Sequence, residues 1–277
     1  AEAVHEHDCK LISQIFHPGR EIMESGDGAL PVALAPSAVP NERFHVMPQA
    51  VGIELLQEII AGYAEGAVRL QTAGLDGVEI VASHGYLPAQ FLNPNLNVRE
   101  DRYGGSLENR MRMLRETARA VRQAVGPDFV VGVRLSADEN TYDATGESET
   151  IALCKALDAD GYVDYLNVTE GTSASTGGST HIVPPMHYEA MYTAPSAEKI
   201  KKQVSVPVLV AGRINQPHEA EIVLASGQAD ACAMTRALIC DPEMPDKAQS
   251  QRTEEIRACI ACNQACIGHF HMGYPIS

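Results

Sequence analysis

The sequence predicts an α/β fold, namely an incomplete (β/α)8 TIM barrel in which strands three to eight are present. Short β-branched, apolar segments alternate with longer amphipathic segments, which is typical of parallel strands covered by helices. No G-x-G-x-x-G motif opens a helix after the first strand, and polar residues gather just after the strands, where barrel active sites lie. Both observations favour the barrel over the alternative, an open doubly wound sheet.

Six segments have the pattern of buried strands and five have the pattern of helices. In chain order, the predicted strands are residues 10–16, 76–83, 129–136, 163–169, 206–212 and 229–235. The predicted helices are residues 53–72, 107–125, 149–158, 197–204 and 217–226. Since six strands do not close an eight-stranded barrel, we expect two strands upstream of this sequence.

Composition narrows the class of protein. The chain has 277 residues, of which 45% are hydrophobic and 21% charged, so it can bury one large core. The formal charge of −15 argues against nucleic acid and anionic lipid as partners. No apolar run approaches the roughly 20 residues that span a bilayer, and the N-terminal residues lack a signal-peptide pattern. We therefore expect a cytoplasmic protein.

Three of the seven cysteines crowd near the C-terminus with C-x2-C-x3-C spacing: Cys259, Cys262 and Cys266. Such crowding suits a metal better than disulfides. Three thiolates need a fourth ligand to complete a tetrahedral zinc site or an iron–sulfur cluster. That ligand is His269, His271 or a cysteine outside this sequence.

Two polar side chains follow the predicted strand 76–83. His84 and Tyr86 share strand parity, so they point to the same side if the extended conformation continues that far. A tyrosine hydroxyl can give or take a proton, and a nearby histidine can orient a substrate atom. The alternative is that both are packing residues.

A second group of polar residues follows the last two strands. Gly212 ends strand 206–212 and Arg213 follows it, while Thr235 ends strand 229–235 and Arg236 follows it. In a barrel these loops form a phosphate site, and arginine binds phosphate through two parallel hydrogen bonds. The alternative is that the arginines form salt bridges at the rim.

Two polar residues interrupt apolar strands. Gln14 and Arg134 would be costly inside a barrel unless something pairs with them. A flat cofactor with hydrogen-bonding groups would do so. Pairing with other side chains is the alternative.

Longer motifs carry a family resemblance. Four segments closely resemble the Old Yellow Enzyme family of FMN-dependent oxidoreductases. They are His84-Gly85-Tyr86-Leu87, Gln90-Phe91-Leu92-Asn93-Pro94, residues 97–110 with the sequence NVREDRYGGSLENR, and Arg134-Leu135-Ser136. The cysteine cluster narrows the resemblance to the iron–sulfur branch, which includes 2,4-dienoyl-CoA reductase, trimethylamine dehydrogenase and related N-demethylases. The resemblance implies that this sequence is an internal piece of a larger flavoprotein.

The resemblance also implies roles for individual residues. Gln14 and Arg134 would contact the FMN ring, and Gly212, Arg213, Thr235 and Arg236 would hold its phosphate. Tyr86 would transfer a proton, and His84 would bind substrate. Cys259, Cys262 and Cys266 would bind a 4Fe-4S cluster, while FAD and NAD(P) would bind a following C-terminal part. The chain would divide into a partial FMN-binding barrel (1–258) and the start of the cluster segment (259–277).

The expected function is hydride transfer between a small-molecule substrate and flavin. The Gly/Ser/Thr-rich loop 172–180, followed by His181 as a substrate-binding residue, is similar to the loops of demethylases that act on N-methyl amino acids or betaines. Residues 169–175 lack the acid histidine of dienoyl-CoA reductases, and Val81 stands where trimethylamine dehydrogenase has tyrosine. The expectation is therefore oxidative N-demethylation.

Two alternatives remain open. One is reduction of an activated C=C bond with a nicotinamide donor, and the other is a non-catalytic zinc-binding module. For the enzyme, an electron donor or acceptor, either a nicotinamide or an electron-transfer protein, is the expected partner. A homo-oligomer is compatible with the sequence.

Overall fold

The computed structural model describes residues 1–22, 32–142 and 144–276. A short helix, α1 (Glu2–His5), precedes the first strand. The strands within the described ranges are β1 (Ile12–Ile15), β2 (Leu34–Ala35), β3 (Gln49–Ala50), β4 (Gly77–Ala82), β5 (Val130–Ser136), β6 (Tyr165–Thr169), β7 (Val208–Ala211) and β8 (Ala231–Ala233).

Ten further α-helices occur in the described ranges. They are α2 (Ile53–Thr72), α3 (Leu87–Leu92), α4 (Leu107–Val125), α5 (Glu147–Asp160), α6 (Thr176–Ile182), α7 (Ala194–Lys201), α8 (Pro217–Ala225), α9 (Thr235–Cys240), α10 (Met244–Gln249) and α11 (His269–Met272). A 3-10 turn covers Thr253–Glu255, and a π-helical turn covers Gln264–Gly268.

Six strands form one parallel sheet in the order β1-β4-β5-β6-β7-β8, and it curls into an incomplete barrel. β2 and β3 pair separately. The α/β prediction and all six predicted strands are confirmed. The observed strands are shorter than predicted by one or two residues at one or both ends, because the apolar pattern continues beyond the paired ladder.

The five predicted helices are also confirmed. The bounds of α2 and α4 agree with prediction, whereas α7 begins three residues earlier than predicted, at Ala194 with Pro195 in its first turn. In α4, Ser106 Oγ accepts a hydrogen bond of 3.3 Å from the Asn109 N–H and caps the helix. The apolar stripe of α4 is buried from Met111 to Val125.

The two faces of the sheet have different chemistry. Alternate strand residues pack against the helices and are fully buried, including Val78, Ile80, Val131, Val133, Leu166 and Val168. The intervening residues form the inner face of the incomplete barrel. There the strand register aligns Gln14 with Glu79, and Arg134 with Asn167. The incomplete barrel therefore has polar residues on its inner face and an apolar layer between the sheet and the helices.

None of the helices in the described part of the chain combines the length and apolarity that crossing a bilayer requires.

Candidate active site

A cavity of about 240 Å³ lies at the carboxyl edge of β5 to β8. Its wall contains Arg134, Gly212, Arg213, Thr235 and Arg236, together with residues 182–184. The structure thus brings together five of the six residues predicted to bind a cofactor. Gln14, the sixth, lies on the neighbouring part of the inner face, in β1.

Unpaired positive charge dominates this cavity. The Nε atoms of Arg134 and Arg213 are buried, and neither has a hydrogen-bond partner among the described residues. Asp and Glu are absent from the described residues of the wall. Because an unpaired buried charge is costly, the wall is suited to an anionic ligand.

The backbone of Gly212-Arg213 is shaped by its protein neighbours. A Cβ atom at Gly212 would lie 1.9 Å from Thr193 Oγ1. The side chain that approaches this glycine most closely is therefore that of Thr193. Arg213 has a left-handed φ of 49°, and its carbonyl oxygen accepts a 2.9 Å hydrogen bond from the Met191 N–H.

Arg236 is partly committed to protein acceptors. Its Nη1 donates to the Pro184 carbonyl oxygen at 3.0 Å and to Asn263 Oδ1 at 2.7 Å. Asn263 Nδ2 in turn donates to the Val183 carbonyl oxygen at 2.7 Å. Burial lowers the pKa of Arg236, and the three nearby thiols of Cys259, Cys266 and Cys262 oppose that change. Arg236 therefore connects the cavity to the cysteine segment.

His84 and Tyr86 lie together, although not by the predicted route. Strand β4 ends at Ala82, and His84 and Gly85 both have left-handed φ values, of 62° and 78°. The condition that the extended strand continues to Tyr86 is therefore not met, because two left-handed residues turn the chain. The two rings nevertheless meet edge to face, with centroids 6.2 Å apart.

The protonation of this pair follows from its surroundings. Burial, together with the positive charge of Arg134, lowers the pKa of His84 to about 3, so the imidazole is neutral at pH 7. Burial and the Glu21 carboxyl raise the pKa of Tyr86. A neutral imidazole and a protonated phenol can both form hydrogen bonds with a substrate, whereas neither brings a charge.

Gln14 is paired with another side chain. Its Nε2 donates to Glu79 Oε1 at 2.6 Å. This is the mutual pairing that the sequence left open, and it uses one end of the amide. The other end remains for a ligand, since a glutamine amide carries separate donor and acceptor groups.

His181 lies in an aromatic group beside the cavity. Its Nδ1 shares a hydrogen bond with the Tyr192 hydroxyl, and its Nε2 lies 3.2 Å from the Tyr188 hydroxyl. Burial lowers the pKa of His181. Both ring nitrogens thus already have protein partners, so contact with a substrate would need one of them to be exchanged.

Cys259, Cys262 and Cys266 are free and partly buried. Over residues 1–22, 32–142 and 144–276, no three His, Cys, Asp or Glu side chains are arranged to hold a metal ion. Asn263, with a left-handed φ of 59°, follows Cys262 and precedes the π-helical turn Gln264–Gly268, which contains Cys266. In this arrangement the three thiols do not converge on one point, and their role as cluster ligands stays a prediction.

Sequence reasoning missed two carboxyl groups near the site. Glu79 interrupts the apolar strand β4 just as Gln14 and Arg134 interrupt theirs, so the same criterion would have found it. Glu21 follows strand β1 in a loop and approaches Gly85 only through the fold, since its Oε1 would lie 3.6 Å from a Cβ there. Only the three-dimensional structure could reveal that contact.

Comparison with known proteins identifies the chain. Residues 1–255 match the NADH:flavin oxidoreductase / NADH oxidase family. The chain belongs to this family.

Two curated relatives and one solved structure are similar to the chain. A metal reductase of Desulforamulus reducens is 40% identical over 278 residues, which cover 100% of this chain and 40% of the relative. The N,N-dimethylglycine/sarcosine dehydrogenase of Chromohalobacter salexigens is 36% identical over 276 residues, with coverage of 100% and 40%. A 2-naphthoyl-CoA reductase complex has a TM-score of 0.91 and 30% identity, covering 100% of this chain and 43% of that one. The chain thus spans about 40% of the length of these curated relatives.

The family implies FMN, and the cavity fits it. A phosphate would provide acceptors for the unpaired Nε of Arg213, and a ring carbonyl or nitrogen would do so for that of Arg134. The cysteines fit an iron–sulfur cluster by ligand chemistry but not by their arrangement.

Proposed function

We propose that this chain is the FMN-binding, catalytic part of an oxidoreductase that oxidatively removes a methyl group from an N-methylated amino acid or amine. The proposal rests on the cavity with its unpaired arginines, which lies next to the neutral His84 and the protonated Tyr86. The similarity to a relative named N,N-dimethylglycine/sarcosine dehydrogenase supports this substrate class.

The individual residues have distinct tasks in this proposal. FMN, when bound, would supply the two-electron acceptor for the hydride lost from the N-methyl carbon, and addition of water to the resulting iminium carbon would release that carbon as formaldehyde. Gly212, Arg213, Thr235 and Arg236 hold the phosphate, while Gln14 and Arg134 bind the ring. His84 orients the substrate by hydrogen bonding, because its low pKa keeps it uncharged. Tyr86 holds a proton at its hydroxyl, and His181 lines the substrate side.

Anaerobic titration tests the substrate. N,N-dimethylglycine and N-methylproline should bleach the visible absorbance of oxidised flavin in the purified protein, and one formaldehyde should form per flavin reduced. Tyr86→Phe should slow bleaching without releasing FMN. Absence of bleaching with either amine would contradict the proposal.

A second candidate is reduction of an activated C=C bond, which the similarity to a 2-naphthoyl-CoA reductase favours. There Tyr86 would donate the proton that accompanies the hydride. Reoxidation of prereduced flavin by an enone, with no bleaching by amines, would support this candidate instead.

We further propose that residues 1–258 act as the FMN-binding barrel and that 259–277 begin a segment whose cysteines would hold a 4Fe-4S cluster, which would supply electron transfer to a nicotinamide, an FAD or another partner. Iron and acid-labile sulfide in the purified protein should both approach four per chain. One zinc per chain without iron or flavin would support the non-catalytic zinc module.

A further inference from the structure

A hydrogen-bonded group crosses the inner face of the barrel beneath the cavity. Glu79 of β4 is only 4% exposed. Its Oε1 accepts from Gln14 Nε2 at 2.6 Å, and its Oε2 accepts from the Tyr165 hydroxyl at 2.9 Å and from Asn167 Nδ2 at 3.0 Å. One buried carboxylate thus joins strands β1, β4 and β6.

The strand register makes this contact possible. Gln14, Glu79, Gly132 and Tyr165 occupy one continuous row across β1, β4, β5 and β6. Gly132 has no side chain at its place in the row. A Cβ at Gly132 would lie 2.1 Å from Tyr165 Cζ, so the Tyr165 ring lies directly over this glycine. The missing side chain on β5 lets Tyr165 reach Glu79.

Three donors converge on Glu79, and this fixes the orientation of the Gln14 amide. A carboxylate only accepts hydrogen bonds, so the NH2 end of Gln14 must face Glu79. The carbonyl oxygen Oε1 then points away from Glu79 and is an acceptor. A free glutamine on the open inner face could rotate its amide and offer either end.

We propose that Glu79 is a positioning residue that makes Gln14 present its carbonyl oxygen, and not its NH2 group, to the N–H of the flavin pyrimidine ring. This inference rests on the proposed placement of the FMN ring at Gln14. The pyrimidine edge of the ring carries one N–H between two carbonyl groups, so a glutamine of the wrong orientation would set donor against donor. Glu79 itself touches Gln14 and not the flavin.

A double-mutant cycle on the FMN-binding protein tests this role. Glu79→Gln should weaken FMN binding by about three- to ten-fold, the loss expected for one hydrogen bond, and should shift the flavin midpoint potential. In a Gln14→Ala background the same change should alter neither quantity further, because Glu79 acts through Gln14. Affinity is measured by fluorescence titration of the apoprotein.

Two further variants separate positioning from simple stabilisation. Tyr165→Phe removes a hydrogen bond from the Oε2 side of Glu79, so it should lower the thermal stability of the apoprotein while leaving FMN affinity within about two-fold. Glu79→Asp keeps the carboxylate but withdraws it from Gln14, and it serves if Glu79→Gln does not fold. It should show the same dependence on Gln14.

The outcomes are distinguishable from failure of the proposed function. If Gln14→Ala changes neither FMN affinity nor potential, Gln14 does not contact the flavin and the placement of the ring is wrong. If Gln14→Ala has an effect but the Glu79 variants have none, the positioning role is refuted. It is also refuted if the effect of the Glu79 variants persists undiminished in the Gln14→Ala background.

Discussion

Arg213 shows how a single residue can prepare a site for an anion. Its Nε is buried without a partner among the described residues, and its backbone is held in the left-handed region. Both features cost free energy in the folded protein. A bound phosphate recovers part of that cost, which is why Arg213 is a better probe of the site than Arg236, whose Nη1 has protein acceptors.

Replacement of Arg213 should therefore loosen FMN. We expect Arg213→Met to cost about 1.5–3 kcal/mol of FMN-binding free energy. That corresponds to about a ten- to hundred-fold higher dissociation constant, measured by fluorescence titration. Methionine keeps the apolar part of the side chain, and because it also has a Cβ it keeps the strain of the left-handed backbone. Arg69→Met on the exposed side of α2 is the matched control. Equal FMN affinity in both variants would contradict the phosphate site.

Glu21 makes the stability depend on pH. The pKa of Glu21 is raised from the usual 4.5 to about 7, mainly by burial and to a smaller extent by the Glu139 carboxyl. Hydrogen bonds from Ser173 and Asn41 and the charge of Arg20 act in the opposite direction. Below about pH 4.5 this carboxyl is protonated in both folded and unfolded chains. As the pH rises to about 7, the unfolded chain ionises first, so stability present at low pH is lost.

This pH effect can be isolated by substitution. The Glu21 contribution to the free energy of unfolding should fall by on the order of 3 kcal/mol between about pH 4.5 and pH 7. Glu21→Gln should remove that part of the pH dependence, which denaturant titrations at a series of pH values would measure. Glu254→Gln, at an exposed position in the 3-10 turn, is the control. Identical pH profiles for wild type and Glu21→Gln would refute the assignment.

At the scale of strands and helices, the sequence predicted most of the architecture. The spacing of apolar residues and the length of each segment identified the six sheet strands and five helices, because apolar spacing reflects which face of an element packs on the core. Short elements such as α6 and the turn at His84-Gly85 could not be predicted, because they depend on contacts distant in sequence. The side-chain partners of Gln14 and His181 were beyond prediction for the same reason.

The row across β4 to β6 gives a prediction at this scale. Gly132→Ala would place a Cβ 2.1 Å from the Tyr165 ring, so we expect it to destabilise the protein by about 1–3 kcal/mol. The cost should shrink in a Tyr165→Ala background, because the clash is then removed. Gly66→Ala in α2 is the control, since apart from its chain neighbours and the backbone of its own helix no described atom lies within 4 Å of the new Cβ. Chemical denaturation measures all four variants.

At the scale of the whole molecule, the outstanding feature is an unclosed sheet. Among the described residues, β1 and β8 each have one neighbour in the sheet. An unpaired strand edge is a template for another strand, and charged side chains are a common way to block it. β1 carries no charge, and Ile12 on it is 38% exposed. In longer relatives of the family, of which this chain spans about 40%, further segments are available to cover such edges.

This topology predicts that chain 1–277, produced by itself, self-associates through β1. Ile12→Lys should lower the average molar mass measured by light scattering over a range of concentrations, because a buried ammonium opposes edge-to-edge pairing. Ile222→Lys in α8 adds the same charge at an apolar position that is 49% exposed and outside the sheet. If association arises from net charge or general surface apolarity, both variants will reduce it equally. A specific effect of Ile12→Lys identifies the open edge of the barrel as the contact.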